Sequence, residues 1–254
     1  MNPIVLYDNR FLDGTPTATD EVAGYSILNI RDLREYTSWW AASSGTKYLT
    51  VNCAGAKTAD ALGIAEHNLG TAGATVSVES SPDNAVWTER LAGFVPADDR
   101  PILKYFTTAF AQYWRVKIVT ASVAPQVAVC VLGARLEFPY PPTAPYTPYI
   151  LKAKAEANRS KAAIILGTNY QYRTVRLSPS WEVVPVAFVD NSFIPFLTAH
   201  ASKLLPFFFA ADLTAYPLDA FFVALAEGSG IDNPKSNGVY YDRISLDLEG
   251  RWHE

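Results

Sequence analysis

The chain has 254 residues, of which 49% are hydrophobic and 18% are charged, and its formal net charge at pH 7 is -4. This charge argues against a general nucleic-acid binder, which needs a basic surface to displace counterions from phosphates, and no apolar run approaches the roughly 18 to 20 residues of a membrane-spanning helix. The length suffices for two ordinary domains, and a charge content below the usual value of about 25% favours a surface partly covered by partners.

The N-terminal segment and the two cysteines indicate a protein folded in a reducing cytoplasm. The segment MNPIVLYDNRFLDG has no basic stretch followed by an apolar run, as a secretory signal would. Cys53 and Cys130 lie far apart in apolar, strand-like surroundings. Disulfide frameworks normally show more cysteines in a shorter chain, so we expect both to be buried free thiols.

The first half of the chain is predicted to be β structure, with one short helix at Arg31–Glu35. Its most regular segment is ATVSVE, in which Val76 and Val78 share one face. Short strands separated by turns at regular intervals are typical of a β-sandwich or jelly roll. The expected strands are Tyr48–Asn52, Ala61–Ala65, Ala74–Glu79, Tyr113–Val119 and Val127–Leu132.

A proline-rich segment separates the two halves. Residues 139–148, PYPPTAPYTP, contain five prolines, which suppress helix and central strand and favour an extended, stiff connector. We therefore predict a β-sandwich domain with an N-terminal arm over residues 1–138, a linker over 139–148 and a second domain over 149–254.

The second half has the order strands, one helix, strands, which predicts a small α+β or barrel-like domain. The helix is expected in DNSFIPFLTAHASKLL, with Asp190 or Ser192 as its cap and Pro195 in its first turn. The segment Ile231–Gly238, IDNPKSNG, is predicted to be a mobile loop. The expected strands are Ala162–Leu166, Gln171–Leu177, Trp181–Phe188, Phe207–Phe209, Ala220–Leu225 and Tyr241–Glu249.

Three polar segments have both a chemical and a structural interpretation, and we favour the structural one in each. His67 is a candidate general base without a nameable partner, or a turn residue that bonds nearby backbone. Gly70 and Gly73 lack the lysine and the following helix of a phosphate loop, so they are expected to supply positive φ in a turn. Asp83 and Asn84 offer one carboxylate for calcium, or form a type I turn. No cofactor and no metal are expected.

Trp39 and Trp40 are the candidate contact residues. Adjacent residues of an extended segment point to opposite faces, so one interpretation places one ring in a core and the other at the surface. An exposed tryptophan is a common platform for a sugar ring or a protein contact. The interpretation we favour is core packing or a domain contact for both rings.

The segment from Trp39 to Phe138 resembles the galactose-binding, discoidin-like β-sandwich as it occurs in bacteriophage virion proteins. The likeness lies in WWAASSGTKYLTVNCAGAKTADALGIAEHNLGTAGATVSVESSPDNAVWTE, then YWRVKIV, then VCVLGARLEF. It departs at Asn52-Cys53, where the pattern often has an acidic residue. The second half resembles the hub or tail-tube-related domain of phage distal-tail and tail-tip proteins, with the single helix FIPFLTAHASKLL, the PFFF strand and the closing strand YYDRISLDLEG.

This resemblance implies a mainly β protein with an N-terminal galactose-binding-like sandwich and a C-terminal α+β, split-barrel hub-like domain. It implies a virion structural protein, made in the host bacterial cytoplasm, that joins tail tube to tail tip as a ring-shaped homo-oligomer such as a hexamer. Its partners would be further copies of itself and other phage tail proteins.

Two other classes of function compete with the tail protein. The first is a carbohydrate-binding module for host adsorption, with Trp39 or Trp40 stacked on a host-surface glycan. The second is an enzyme such as a glycosidase, which needs two opposed carboxylates about 5 to 10 Å apart. The sequence nominates no such pair, and we expect no enzymatic activity.

Overall fold

The computed structural model describes residues 2–228 and 240–253, which are mainly β structure. The predicted loop at Ile231–Gly238 lies outside these residues. The strands are β1 (Ile4–Leu6), β2 (Thr17–Ala18), β3 (Trp39–Trp40), β4 (Gly45–His67), β5 (Thr75–Ser81), β6 (Thr88–Phe94), β7 (Ile102–Thr120), β8 (Gln126–Gly133), β9 (Leu136–Glu137), β10 (Ile150–Arg159), β11 (Ile165–Leu177), β12 (Ser180–Pro185), β13 (Phe207–Ala210), β14 (Phe221–Leu225), β15 (Tyr240–Ser245) and β16 (Leu248–Arg251). The helical segments are 3-10 turns at Arg10–Leu12, Ile27–Arg31 and Ala201–Lys203, helix α1 (Val186–Phe188), a π turn at Val189–Phe193 and helix α2 (Ile194–Ala199). None of the helices described is long and apolar enough to cross a membrane.

The chain forms two compact units. The first contains the residues up to Phe138 together with Pro206–Phe222, and the second contains Pro139–Leu205 and Val223–His253. The predicted linker 139–148 belongs to the second unit. The segment 206–222 differs from the predicted second domain of 149–254, because β13 pairs with β1 of the first unit, with Leu6 opposite Phe208.

Two long strands, β4 and β7, organise the first unit. They are antiparallel along most of their length, and their register shifts between Asn52 and Lys57. The part of β4 before this shift belongs to a sheet with the strand order β2-β4-β7-β5-β6. The part of β4 after the shift belongs to a sheet with the strand order β3-β8-β4-β7. The separately predicted strands Tyr48–Asn52 and Ala61–Ala65 are therefore parts of one strand.

Both halves of this folded sheet contribute side chains to the same core. Val76 and Val78 enter it from β5, as their alternation predicted, and Trp114 enters from β7. Leu62 and Leu132 enter from the other half. The structure thus confirms a mainly β chain with an N-terminal β-sandwich.

A second core in the first unit covers the outer face of β4 and β8. Phe208 and Phe222 pack there with Ile4 and Leu6. Residues 59–65 of β4 are consequently buried on both faces. Phe207, Phe208 and Phe209 are all fully buried.

The predicted helix at Arg31–Glu35 is wrong. The chain forms a 3-10 turn at Ile27–Arg31, which Ser26 caps by accepting a hydrogen bond from the Leu28 backbone amide at 3.3 Å. Leu33 then has a φ of 62°, in the left-handed region. A bulky residue with this φ cannot continue a right-handed helix.

In the second unit, β10, β11, β16 and β14 form antiparallel neighbours, and β12 pairs with β15. The predicted single strand Tyr241–Glu249 is wrong, because its two halves join different sheets. The break lies at Leu246 and Asp247, which bond to the backbone of Pro179 and Ala226.

The predicted linker, residues 139–148, is hydrogen-bonded to strand β12. The Trp181 indole donates a hydrogen bond to the Tyr140 carbonyl at 3.1 Å.

The helical segment of the second unit begins earlier than predicted. It starts at Val186 and shows no side-chain cap, so the caps expected at Asp190 or Ser192 are wrong. Pro195 does occupy the first turn of α2. Since proline has no backbone N–H to donate, the regular bonding pattern cannot run through it, and the preceding turn is wound as a π turn.

Candidate functional site

The two adjacent tryptophans of β3 face opposite directions, as an extended segment requires. Trp39 is fully buried, and its indole donates a hydrogen bond to the Asp20 carbonyl at 3.0 Å. Trp40 keeps 37% of its surface exposed. Core packing, which we favoured for both rings, is therefore correct for Trp39 and wrong for Trp40. Trp40 is the ring that remains available for contact.

Tyr25 and Trp40 form an exposed aromatic pair. Their ring centroids are 5.2 Å apart and their planes meet at 88°, an edge-to-face geometry. The Trp40 amide donates to the Tyr25 carbonyl at 3.3 Å, and the Val22 amide donates to the Trp40 carbonyl at 2.9 Å. These backbone bonds hold the two segments that carry the rings side by side.

The segment that carries Tyr25 is a tight turn. The Tyr25 amide donates to the Val22 carbonyl at 2.9 Å, and Gly24 has a φ of 89°, which a residue with a side chain rarely adopts. Tyr25 was not predicted as a site residue. The local signal was the Ala-Gly-Tyr turn, but nothing in the pattern places it beside a tryptophan 15 positions later.

The chain after Trp40 is held by a buried lysine and an aspartate. Lys47, whose side chain is 5% exposed, donates to the Asp20 carboxylate, which also accepts from the Ala42 amide at 3.1 Å and the Ser43 hydroxyl at 3.3 Å. Burial alone would raise the pKa of Asp20, but the hydrogen bonds from Lys47 and Ala42 outweigh burial and lower this pKa. Asp20 is thus ionised at neutral pH and anchors the loop beside the aromatic pair.

A second group of aromatic rings is already occupied by an arginine. The Arg115 guanidinium lies 3.8 Å from the ring centroid of Trp87 and 4.1 Å from that of Tyr48. Its Nε donates to Glu79 at 2.5 Å. One face of each of these rings therefore packs against Arg115 and is not available to a sugar.

His67 is built into a turn. Its Nδ1 accepts from the Leu69 amide at 3.1 Å, and its Nε2 donates to the Arg100 carbonyl at 3.0 Å. Its side chain is fully buried. This matches the structural interpretation of the HNL segment, because both ring nitrogens serve the backbone.

The two glycines after His67 act in different ways. Gly73 has a φ of 57°, as predicted. For Gly70 the prediction of positive φ is wrong; instead, a Cβ there would lie 2.4 Å from the Asp98 carbonyl carbon and oxygen. The neighbouring Asp99 carboxylate accepts from the Gly70 amide at 2.8 Å and from the Thr71 amide at 3.0 Å.

Asp83 caps its own turn, as the structural interpretation predicted. Its Oδ1 accepts from the backbone amides of Ala85 at 2.9 Å and Val86 at 3.1 Å. These bonds, led by the one from Ala85, lower the pKa of Asp83. Asn84 follows with a φ of 64°.

Cys53 and Cys130 are free and buried, as predicted. Burial, with a smaller contribution from Asp13, raises the pKa of Cys53 from 9.0 to about 11. Complete burial raises the pKa of Cys130 further. Since the thiolate is the reacting form, both groups are protected at neutral pH.

We expect neither thiol of the native protein to react with Ellman's reagent at pH 7.5 on the timescale of minutes, whereas both react at once in denaturant. The measurement is the absorbance of released thionitrobenzoate. In the native protein, Cys53 should gain reactivity up to about pH 11, because its thiolate fraction rises about tenfold per pH unit below its pKa. A Cys53→Ser variant isolates Cys130. A fast stoichiometric reaction of either thiol at pH 7.5 would contradict this protection.

No protein-family model matches the chain, and no curated protein matches it by sequence. Among solved structures, it is similar to chitosan-binding module 1 of a chitosanase/glucanase from Paenibacillus sp. IK-5, with 20% identity, a TM-score of 0.44, and coverage of 50% of this chain and 98% of that module. It is also similar to the CBM32 of AlyQ in complex with 4,5-unsaturated mannuronic acid, with 23% identity and a TM-score of 0.42. The similarity covers 50% of this chain and 96% of that module. A third is chitosan-binding module 2 of the Paenibacillus enzyme in complex with chitotriose, with 15% identity, a TM-score of 0.42 and coverage of 49% and 99%.

Proposed function

We propose that the first unit is a carbohydrate-binding module that holds a glycan against the aromatic pair. The observation that carries this proposal is the exposed edge-to-face pair of Tyr25 and Trp40, which are 38% and 37% exposed and lie on segments joined by backbone hydrogen bonds. The C–H faces of sugar rings stack on such rings, and rigid aromatic platforms lose little entropy on binding. The role is non-enzymatic.

Polar groups on the same segments supply hydrogen-bonding partners for sugar hydroxyls. Glu21 precedes the turn and accepts from the Ile27 amide at 2.7 Å, and Gln126 lies opposite Trp40 in the strand register. The side-chain amide of Gln126 donates a hydrogen bond through Nε2 to the Ser38 hydroxyl at 2.9 Å. A sugar stacked on the aromatic pair would find both an acceptor and a side-chain amide beside it, as glycan sites require.

The test is a glycan microarray followed by titration calorimetry with the glycan that gives the strongest signal. Trp40→Ala and Tyr25→Ala are each expected to weaken binding at least about tenfold, the equivalent of about 1.4 kcal/mol of stacking. Tyr36→Ala is the matched control, because Tyr36 is 81% exposed and lies outside the pair. A folded wild-type protein that binds no glycan above background would refute the proposal, as would a Trp40→Ala variant that binds like wild type.

We propose as a second candidate that the chain is a structural subunit of a phage tail, in a ring at the distal tail or tail tip, and so resides in the virion. Its support is the resemblance of residues 39–138 and of the second half, together with a long exposed hairpin in the second unit. Mass spectrometry and gold labelling of purified phage particles test it. Absence of the chain from particles would refute the tail role and leave the glycan proposal standing.

A further inference from the structure

Strands β10 and β11 form a hairpin that is exposed along both strands. We call residues 150–172 the hairpin. Every residue of β10 is exposed, and so are the first eight residues of β11. The tip is closed by hydrogen bonds from the Ser160 amide to the Ile164 carbonyl and from the Ala163 amide to the Ser160 carbonyl, both at 2.9 Å. The hairpin is therefore regular strand structure with an ordered tip and an open surface.

The tip of the hairpin is apolar. Ile164, Ile165 and Leu166 follow one another directly, and 62%, 55% and 65% of their surfaces are exposed. Ile165 is paired with Arg159, the last residue of β10. At the usual rise of a strand, the three apolar side chains thus lie within about 7 Å of chain at the very end of the hairpin. Contiguous exposed apolar surface of this kind marks an interaction site.

Positive charge surrounds the hairpin. Lys152 and Lys154 share one face of β10, Arg159 lies on the opposite face, and Lys161 lies in the tip turn. Glu156 is the only acidic residue of the hairpin, which therefore carries +3, while the whole chain carries -4 and the remainder -7. The basic side chains thus do not mark one face for a partner but flank the apolar tip on both faces.

The apolar tip and the surrounding positive charge together fit the surface of an anionic bilayer. A nucleic acid or an acidic polysaccharide would bind the charges but leave the apolar tip in water, and a protein docked on one face would leave the charges of the other face outside the contact. At a bilayer, apolar side chains enter the boundary between headgroups and acyl chains to a depth of about 5 to 10 Å, which matches the length of the tip. Lysine and arginine side chains reach back from such a depth to anionic headgroups.

We propose that the hairpin docks end-on, through its tip, into the surface of a bilayer that contains anionic phospholipids. The apolar side chains of residues 164–166 enter the headgroup boundary, and Arg159 and Lys161 bind lipid phosphates. Lys152 and Lys154, farther from the tip, add to the attraction at longer range. The contact is superficial, because a tip of about 7 Å is far shorter than the roughly 30 Å of the hydrocarbon core. It is independent of both proposed functions, since it uses neither the aromatic pair nor a second copy of the chain.

The test is co-sedimentation of the full-length protein with phosphatidylcholine vesicles that contain about 30% phosphatidylglycerol, and with vesicles of phosphatidylcholine alone. Wild type is expected to bind the anionic vesicles more tightly, and this preference should shrink as salt rises from about 0.05 M to about 0.5 M. Ile165→Ser removes an apolar side chain from the tip and should weaken binding at least about fivefold. Ile150→Ser is the matched control, because Ile150 is 51% exposed but lies at the base of the hairpin, about 30 Å from the tip. It should change binding less than about twofold.

A second pair of variants tests the charge. Lys161→Gln removes one positive charge at the tip and should weaken binding to the anionic vesicles about fivefold. Lys203→Gln makes the same change of net charge at an exposed position outside the hairpin and should change binding less than about twofold. Circular dichroism checks that all four variants fold, which the exposure of the four positions favours.

A fluorescent label distinguishes insertion of the tip from charge attraction alone. Cys53 and Cys130 are buried, so an environment-sensitive thiol dye reports on an added cysteine. The dye on Ile165→Cys should gain fluorescence when anionic vesicles are added, and the dye on Ile150→Cys should not. A folded wild-type protein that does not bind anionic vesicles at about 1 mM lipid would overturn the proposal. Equal effects of Ile165→Ser and Ile150→Ser would also overturn it, as would binding to dextran sulfate without binding to vesicles.

Discussion

Replacing Gly133 by alanine is expected to destabilise the first unit by about 3 kcal/mol. An alanine Cβ at this position would lie 1.8 Å from the carbonyl oxygen of Asp8, a separation at which one of the two chains must move. The Asp8 segment cannot move freely, because the side chain of the next residue, Asn9, is bonded at both ends. Its Nδ2 donates to the Cys130 carbonyl at 3.2 Å and its Oδ1 accepts from the Phe11 backbone amide at 3.1 Å. The cost combines overpacking of about 1–3 kcal/mol with the loss of buried hydrogen bonds worth about 1 kcal/mol each.

Urea denaturation followed by tryptophan fluorescence measures this cost, with an unchanged slope showing that only stability has altered. Gly55→Ala is the matched control, because a Cβ there meets no atom within 4 Å and Gly55 is not among the positive-φ glycines. The free energy of unfolding of the control should lie within about 0.5 kcal/mol of the wild-type value. A Gly133→Ala protein as stable as the control would show that β8 and the N-terminal arm are not in the close contact described.

Sequence patterns predicted the β-sandwich because apolar and polar residues alternate along its core strands, as around Val76 and Val78. They did not show that two predicted strands form the single strand β4. Between them, residues 53–56 lie in a register shift, with Asn52 paired to Tyr113 on one side and Lys57 paired to Ala111 on the other. These pairs join positions that are 61 and 54 residues apart in the chain, and such long-range pairing leaves no local pattern to read.

The same reason explains the misplaced segment 206–222. Its phenylalanines predict a buried strand, and β13 is buried. Which core receives it depends on β1, about 200 residues earlier, whose register places Val5 opposite Phe209. Composition determined that the strand is inside, while a long-range pairing determined the unit to which it belongs.

Of the candidate site, the sequence predicted the tryptophans but not Tyr25, because only the tryptophans lie next to each other in the chain. Alternation placed Trp39 and Trp40 on opposite faces whatever the fold, although it could not say which ring was outside. The partner ring of Tyr25 comes from a turn that is distant in the chain and joined by backbone bonds. Sites assembled from separate segments therefore appear in the sequence only as isolated aromatic residues.

His67→Phe is expected to destabilise the first unit by about 2–4 kcal/mol without weakening glycan binding by the folded protein. The phenyl ring is somewhat larger than imidazole and makes neither hydrogen bond, so the Leu69 amide and the Arg100 carbonyl lose their partner. Each buried polar group left unpaired costs about 1–3 kcal/mol. Urea denaturation measures the loss, and calorimetry at low temperature, where the variant is folded, measures binding.

His67→Gln separates the two bonds, since its terminal amide lies at about the reach of Nε2 and donates to the Arg100 carbonyl while leaving the Leu69 amide unpaired. Its stability should fall between those of wild type and His67→Phe. If instead His67→Phe kept full stability but abolished glycan binding, the histidine would belong to a binding site and its place in the turn would be incidental. The geometry favours the structural role, because a ring with both nitrogens bonded to backbone has no free position at which to accept a proton from a substrate.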